Sequence, residues 1–268
     1  MKHPISLLII VFLFSCSYSS NEQHNQLNAK DQFDSYLRIQ NALKEYPDSV
    51  ELNQALIDYL DSIKNYDEAI LHINTLIQKD SLNQGLWYQK AQLTLKTRDT
   101  LNAKKCFRIA NAIYPNLASM LSLANLLAEQ KDKEGLMVCD NIQEMFPGND
   151  YQADIYFIKG VYFSRIANNS KAILYLDSCI NTNYRYTEAL MEKGFILYDN
   201  YPNSSALAIF EAVTQLDPMY ADGYYWKAKC LEKNKQFEAA ALQYKKAQTL
   251  DPELYEAKEA LKRLQLKK

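Results

Sequence analysis

Residues 240–252 read AALQYKKAQTLDP, with Ala240, Tyr244 and Ala247 at i, i+4 and i+7 and Pro252 closing the segment. That spacing puts the three residues on one face of an α-helix. The set recurs upstream as Ala206, Phe210, Val213 and Pro218, which sets a period of roughly 34 residues. One period further back it reads Ala172, Leu176 and Cys179, with Tyr184 in the proline's place. Ala103, Phe107, Ala110 and Pro115 continue it, and then Ala69, Ile73 and Leu76. A second series of small residues, Ala91, Ala124, Gly160, Gly194 and Ala228, keeps nearly the same interval and marks a preceding helix. A small side chain lets two helices approach closely. Glycine inside a helix costs roughly 1 kcal/mol against alanine, so Gly160 and Gly194 must be offset by close packing. Asn65 and Asp99-Thr100 are candidate N-caps for the second helices. Pro115, Pro218 and Pro252 fall just past the apolar pattern, where proline stops a helix without breaking one.

A helix–turn–helix unit of this length and placement resembles the tetratricopeptide repeat (TPR). Trp87, Ala91, Ala103, Phe107, Ala110 and Pro115 carry the resemblance together in one unit. The predicted fold class is all-α, an α-solenoid of stacked units whose right-handed superhelix and concave face are implied by the resemblance. One helix pair cannot bury its apolar faces alone, so neighbours must stack and the ends must be capped. The expected organisation is a half repeat over 31–49, repeats over 50–83, 84–116, 117–152, 153–186, 187–220 and 221–252, and a capping helix over 253–268. Unit 117–152 is the weakest. Asp140 falls where a bulky apolar residue is expected, and Gly135-Leu136 replaces the usual alanine. A one-residue shift in its internal turn would mend the register.

The N-terminus reads as an address. Met1-Lys2-His3 is followed by the apolar run ISLLIIVFLF and then Ser15-Cys16-Ser17. Leu13-Phe14-Ser15-Cys16 resembles the lipobox of bacterial lipoproteins, although Phe14 is bulkier than that pattern prefers. The resemblance implies a signal peptide over 1–15 and a lipidated Cys16. An ordinary cleaved signal with Cys16 incidental is the alternative. Residues 17–30 are polar and aperiodic, a tether on the order of 20 Å as a coil. Such a chain is anchored to a membrane through lipid alone. The expected place is a bacterial cell envelope, at the periplasmic face of the outer membrane.

The 268-residue chain carries 30 basic and 32 acidic residues, a net charge of −2. That balance does not favour nucleic acid as a partner. No catalytic motif is present. The three histidines, His3, His24 and His72, are far apart in sequence, and neither a metal site nor a cofactor is expected. Cys106, Cys139, Cys179 and Cys230 form no CxxC and are expected as buried free thiols.

In TPR proteins the first helix of each unit lines the groove. Carried over by register, one stripe reads Gln54, Tyr88, Leu121, Phe157, Met191 and Tyr225. The adjacent stripe reads Asp58, Gln92, Asn125, Val161, Phe195 and Lys229, and Arg165, Tyr198 and Lys233 follow a turn later. From the third unit on, the resemblance implies a groove rich in exposed apolar and aromatic side chains, the character of an interaction surface. TPR co-chaperones that clamp a C-terminal carboxylate use Lys, Asn and Arg here. Only Asn125 fits that pattern, and Asp58 and Gln92 do not. The expected partners are other proteins or peptide segments, with the chain a non-enzymatic scaffold in envelope assembly or secretion. The alternative is a carrier whose aromatic groove takes a small molecule or glycan.

Overall fold

The computed structural model describes residues 29–201 and 203–265. The expected signal peptide, Cys16 and residues 17–28 of the expected tether lie outside these residues. Fourteen helices and no sheet make up the described chain: α1 Ala29–Glu45, α2 Val50–Ser62, α3 Tyr66–Lys79, α4 Gln84–Lys96, α5 Thr100–Ile113, α6 Leu117–Glu129 and α7 Glu134–Met145, followed by α8 Gln152–Arg165, α9 Asn169–Thr182, α10 Thr187–Asn200, α11 Asn203–Leu216, α12 Ala221–Lys233, α13 Phe237–Leu250 and α14 Tyr255–Gln265. Among the described residues they form two compact units, one ending at Leu123 and one beginning at Ala124, each a stack of helix–turn–helix pairs.

The turns inside the pairs have a common chemistry. Lys64, Arg98, Lys131, Ala167 and Lys235 take φ of 60–64° at the end of a first helix. The next amide then reaches back into the helix: Asn65 to the Leu60 carbonyl (2.8 Å), Asp132 to Leu127 (2.9 Å), Asn168 to Phe163 (2.9 Å) and Gln236 to Leu231 (2.9 Å). This left-handed closure satisfies carbonyls that the helix end would orphan. Asp99 caps α5 by accepting from the Asn102 amide, and Asn168 caps α9 likewise. Asn65 departs from expectation. It stands at the N-cap of α3 without a capping bond, and its amide donates to Glu68 instead (2.6 Å). The helices before Pro115, Pro218 and Pro252 end at Ile113, Leu216 and Leu250.

In the first unit Leu56, Ile57, Leu60, Ala69, Ile73, Ile77 and Leu93 form the core between α2, α3 and α4. Ile77 is buried there and Leu76 only partly, so the helix is turned slightly from the sequence expectation. In the second unit Leu190, Met191, Ala206, Phe210, Val213 and Cys230 pack together across α10, α11 and α12. Ala228, Tyr244, Ala247, Ala257, Ala260 and Leu264 bury one face of α14 against α12 and α13, while Lys258, Lys262 and Arg263 stay exposed on the other.

Close packing accounts for the helix glycines. A Cβ on Gly160 would lie 2.8 Å from Leu176 Cγ, and one on Gly194 would lie 2.6 Å from Phe210 Cε1. The weak unit is regular once its turn is counted. Gly135 follows the left-handed residue Lys131 by four positions, where Ala69, Ala103, Ala172 and Ala240 follow theirs by five. The shorter turn draws α7 against α6 so closely that a Cβ on Gly135 would meet the Ala124 carbonyl oxygen at 2.9 Å. Gly135, Cys139 and Ile142 then fill the i, i+4 and i+7 positions and are buried. Asp140 is therefore not at the bulky apolar position expected for it. It is exposed and pairs with Lys159 (2.9 Å).

Candidate functional site

Five of the eleven residues expected to line an accessible groove are instead core residues. Phe157 and Val161 are wholly buried, and Leu121, Met191 and Asn125 are 3–8 % exposed. The reason lies in the stacking. The helix α8 packs against α7, α9 and α10, so its buried arc is wider than one stripe. Phe157 stacks on Tyr186 with ring centroids 5.1 Å apart, and Tyr186 in turn donates its hydroxyl to Asp154 (2.9 Å). Burial and then Asp154 hold the Tyr186 hydroxyl protonated, and burial raises the Asp154 pKa above the ordinary aspartate value. Met191 belongs to the core around Phe210. Asn125 is buried in α6 with its Oδ1 unpartnered among the described residues.

Arg165, expected in the groove, binds two carboxylates of its own chain. Its Nε and Nη2 donate to Glu129 (2.7 and 3.0 Å), and its Nη1 and Nη2 donate to Glu192 (3.0 and 2.8 Å). All three side chains are 18 % exposed or less. The guanidinium thus joins the first helices α6, α8 and α10. Burial outweighs the arginine at Glu129 and raises its pKa, while the two carboxylates hold Arg165 charged.

Tyr88, on α4, is half-buried, accepts from the Gln92 amide (2.6 Å) and faces the Phe107 ring at 5.9 Å. It belongs to the first unit. The remaining expected residues, Phe195, Tyr198, Tyr225 and Lys229, come together on α10 and α12 of the second. Trp226, which the stripe reading missed, is their hub. Its ring lies 4.8 Å from Phe195, 5.5 Å from Tyr198, 5.7 Å from Tyr225 and 5.9 Å from the buried Phe210. Two lysines rest on this cluster. Lys229 Nζ stands 4.8 Å from the Trp226 centroid, 5.6 Å from Tyr198 and 5.7 Å from Tyr225. Lys233 Nζ stands 4.5 Å from Tyr198 and donates to its carbonyl (2.9 Å). Burial, and then Arg263, lower the Lys229 pKa. Burial pushes the Tyr198 hydroxyl up to about 12 and raises Tyr225 as well, so both remain hydrogen-bond donors near neutrality. Arg263 is already engaged, donating to Glu232 (2.7 Å), which also accepts from the Tyr244 hydroxyl (2.9 Å). Neither Lys229 nor Lys233 has an ion-pair partner among the described residues. The arrangement offers aromatic surface and two ammonium groups to an apolar, anionic ligand.

Nothing in the described chain is arranged for metal chemistry: no group of three or more His, Cys, Asp or Glu side chains converges there. His72 is half-buried with its Nε2 2.8 Å from Asn53 Oδ1, and burial lowers its pKa. Cys106, Cys139, Cys179 and Cys230 are buried and unpaired. No described helix is long and apolar enough to cross a membrane.

These features define the chain as a protein of the tetratricopeptide-repeat fold. A tetratricopeptide-repeat family model matches residues 197–254, the segment holding most of the aromatic–lysine cluster. A tetratricopeptide repeat protein of Parabacteroides merdae has a similar structure, with a TM-score of 0.71 over 90 % of this chain and 94 % of that one at 15 % identity. PilW, a type IV pilus biogenesis factor, aligns with a TM-score of 0.63 over 80 % of this chain and 97 % of its own, at 16 % identity. In sequence, the mitochondrial import receptor subunit TOM70 of Rattus norvegicus is 28 % identical over 71 % of this chain. A DnaJ homolog subfamily C member 7 homolog of Dictyostelium discoideum is 25 % identical over 81 % of it. The chain spans about a third of the length of these two curated relatives, 33 % and 36 % respectively.

Proposed function

We propose that this chain is a non-enzymatic scaffold that binds segments of other proteins on the first helices of its second unit. The observation that carries the reading is the pair Lys229 and Lys233, set on Tyr198, Tyr225 and Trp226 without a carboxylate partner among the described residues. A half-buried ammonium on an aromatic wall gains from an incoming anion, and the rings supply apolar contact with little rotamer entropy to lose. A segment that presents an acidic and an apolar side chain meets both needs. The likeness to an import receptor subunit and to a pilus biogenesis factor supports a role in handling other proteins.

The lipobox-like Leu13-Phe14-Ser15-Cys16 supports lipid attachment at Cys16. The scaffold then works tethered at a bacterial envelope, at the periplasmic face of the outer membrane, in assembly or secretion. The test is a pull-down from detergent-solubilised envelopes with the tagged chain, set beside the variant Tyr198→Ala/Tyr225→Ala/Lys229→Ala/Lys233→Ala. The variant keeps its helical circular dichroism and loses a partner that the wild type retains. Equal recovery by both refutes the site. In the same cells Cys16→Ser moves the chain from the membrane to the soluble fraction; an unchanged distribution refutes the tether.

A further inference from the structure

Three steps from a second helix to the next first helix share one ion pair in one register. The acid lies five residues after the small core residue of the second helix. The lysine directly precedes the small core residue of the following first helix. The pairs are Asp140–Lys159 at 2.9 Å, Asp177–Lys193 at 2.5 Å and Glu211–Lys227 at 3.4 Å. Between α3 and α4 the same two positions hold Asn74 and Lys90. Lys90 has no ion pair among the described residues, and its Nζ rests 5.1 Å from the Trp87 ring. A cleft of about 490 Å³ opens at this step, lined by Ile70, Asn74, Trp87, Lys90, Lys105 and Ile109 among others. Its volume lies in the range of ligand sites. Trp87, Lys90 and Thr94 put it on the opposite face of α4 from Tyr88 and Gln92.

The charges in the cleft decide what fits. Lys90 and Lys105 face Asp67 and Asp99, and Asp99 is already committed to the Asn102 amide and side chain at the start of α5. The formal sum is zero, which gives no excess attraction for a doubly charged phosphate. A single carboxylate, the group that meets the equivalent lysine in three other steps, matches the one ammonium left over from the pattern.

We propose that the α3–α4–α5 cleft binds a carboxylate side chain of a partner polypeptide, completing between chains the ion pair that three other steps make within this one. An adjoining apolar side chain of the same segment packs on Trp87, Ile70 and Ile109. This site is independent of the aromatic–lysine cluster of the second unit.

The test is a heptapeptide array with Asp, Glu, Asn, Gln or Lys fixed at the centre and apolar residues varied beside it. It is probed with the fluorescently labelled full chain in detergent, and the strongest peptides are titrated in solution. Acid-centred peptides bind at least tenfold more tightly than their amide counterparts. Asn74→Asp restores the carboxylate within the chain and abolishes that preference. Asn74→Ser keeps it, and Lys90→Met loses it. Circular dichroism shows all variants folded. Absence of any acid preference in the wild type overturns the proposal, as does an undiminished preference in Asn74→Asp. Displacement of the peptides by low-millimolar glutarate puts a small organic acid in the cleft and overturns the peptide source.

Discussion

Replacing Arg165 by methionine tests whether this residue holds the scaffold together or waits for a ligand. The substitution keeps most of the side-chain volume and removes the guanidinium that joins Glu129 to Glu192. Four guanidinium hydrogen bonds of 2.7–3.0 Å are lost at once. Breaking a buried pair from one side costs about 3–5 kcal/mol, because the stranded charge has nowhere to go. Here the carboxylates keep 18 % and 9 % of their side-chain exposure, so some water remains and the lower end, about 3 kcal/mol at pH 7, is expected. The loss also depends on pH. Without the arginine, the burial that already raises the Glu129 pKa acts unopposed, so Glu129 binds its proton more tightly in the folded variant than in the unfolded chain. Its stability contribution is therefore fullest below the unfolded pKa near 4.3 and falls as pH rises through the raised folded value. The variant regains about 1.4 kcal/mol toward pH 5 for each unit by which Glu129 is raised.

The assay follows from the placement of the two tryptophans, Trp87 in the first unit and Trp226 in the second. In a Trp87→Phe background, Trp226 fluorescence reports on the unit that contains Arg165. A urea slope of about 2 kcal/mol per molar turns a loss of about 3 kcal/mol into a midpoint shift of about 1.5 M. Adding Glu129→Gln and Glu192→Gln to Arg165→Met removes the stranded charges and restores most of the shift. A midpoint loss below about 0.5 M at pH 7, or one equal at pH 5 and pH 8, refutes the structural role.

Phe157→Ala is expected to cost about 3–5 kcal/mol, as for other wholly buried rings; a loss under about 1 kcal/mol in the Trp226 urea transition would restore it to an accessible surface. Gly194→Ala drives a methyl into Phe210, whose ring is fixed by Trp226 and Phe195. Overpacking of about 1–3 kcal/mol outweighs a helix-propensity gain of about 1 kcal/mol, and a lowered thermal midpoint checks it. Gly85→Ala puts a methyl 3.3 Å from Asn83 Oδ1, the oxygen that caps α4, and changes the same thermal midpoint less than Gly194→Ala does. Burial pushes Cys139 up to about 12 and Cys230 up to about 11, and raises Cys106 and Cys179. An aromatic disulfide reagent at pH 8 should therefore label none of these four thiols in the native protein and all four after denaturation. Rapid native labelling of any of them contradicts the packing.

The periodic recurrence of Ala, a bulky residue and a second small residue is enough to read the all-α class, because a helix pair leaves a strong period in the sequence. Asp140 shows the limit of fixed spacing: one residue missing from a turn displaced the whole helix in register. The stripe over Phe157, Val161 and Met191 was misread for a different reason. A single stripe assumes half-exposed first helices, yet QADIYFIKGVYFSR in α8 buries Ala153, Ile155, Phe157, Ile158, Val161 and Tyr162 over more than half its circumference. The density of apolar residues in that segment is legible in the sequence and points to a helix packed on more than one side. Glu192 and Trp226 share the register of Ile158, one and two repeats further along the chain. A carboxylate at an interior position requires a cation, and nothing in the spacing shows that Arg165 supplies it from another repeat. Such partners depend on side-chain reach across a helix stack, which no period records.

The repeated lysine–acid pairs carry the same reasoning toward function. Each acid in them is 42–62 % exposed and each lysine 17–21 %, and a pair whose acid stands in water contributes about 0–1 kcal/mol. Their worth lies more in setting one helix pair against the next than in stability. The chain therefore loses little by carrying Asn74 in place of the acid, while the lysine left behind is free to meet a partner. Arg165 is the opposite case: its loss strands two buried charges, so that position is bound to the fold. Where a repeat protein departs from its own pattern at little energetic cost, as at Asn74 and Lys90, the departure marks a surface for recognition; where the departure is costly and fully compensated, as at Glu129, Arg165 and Glu192, it marks the frame.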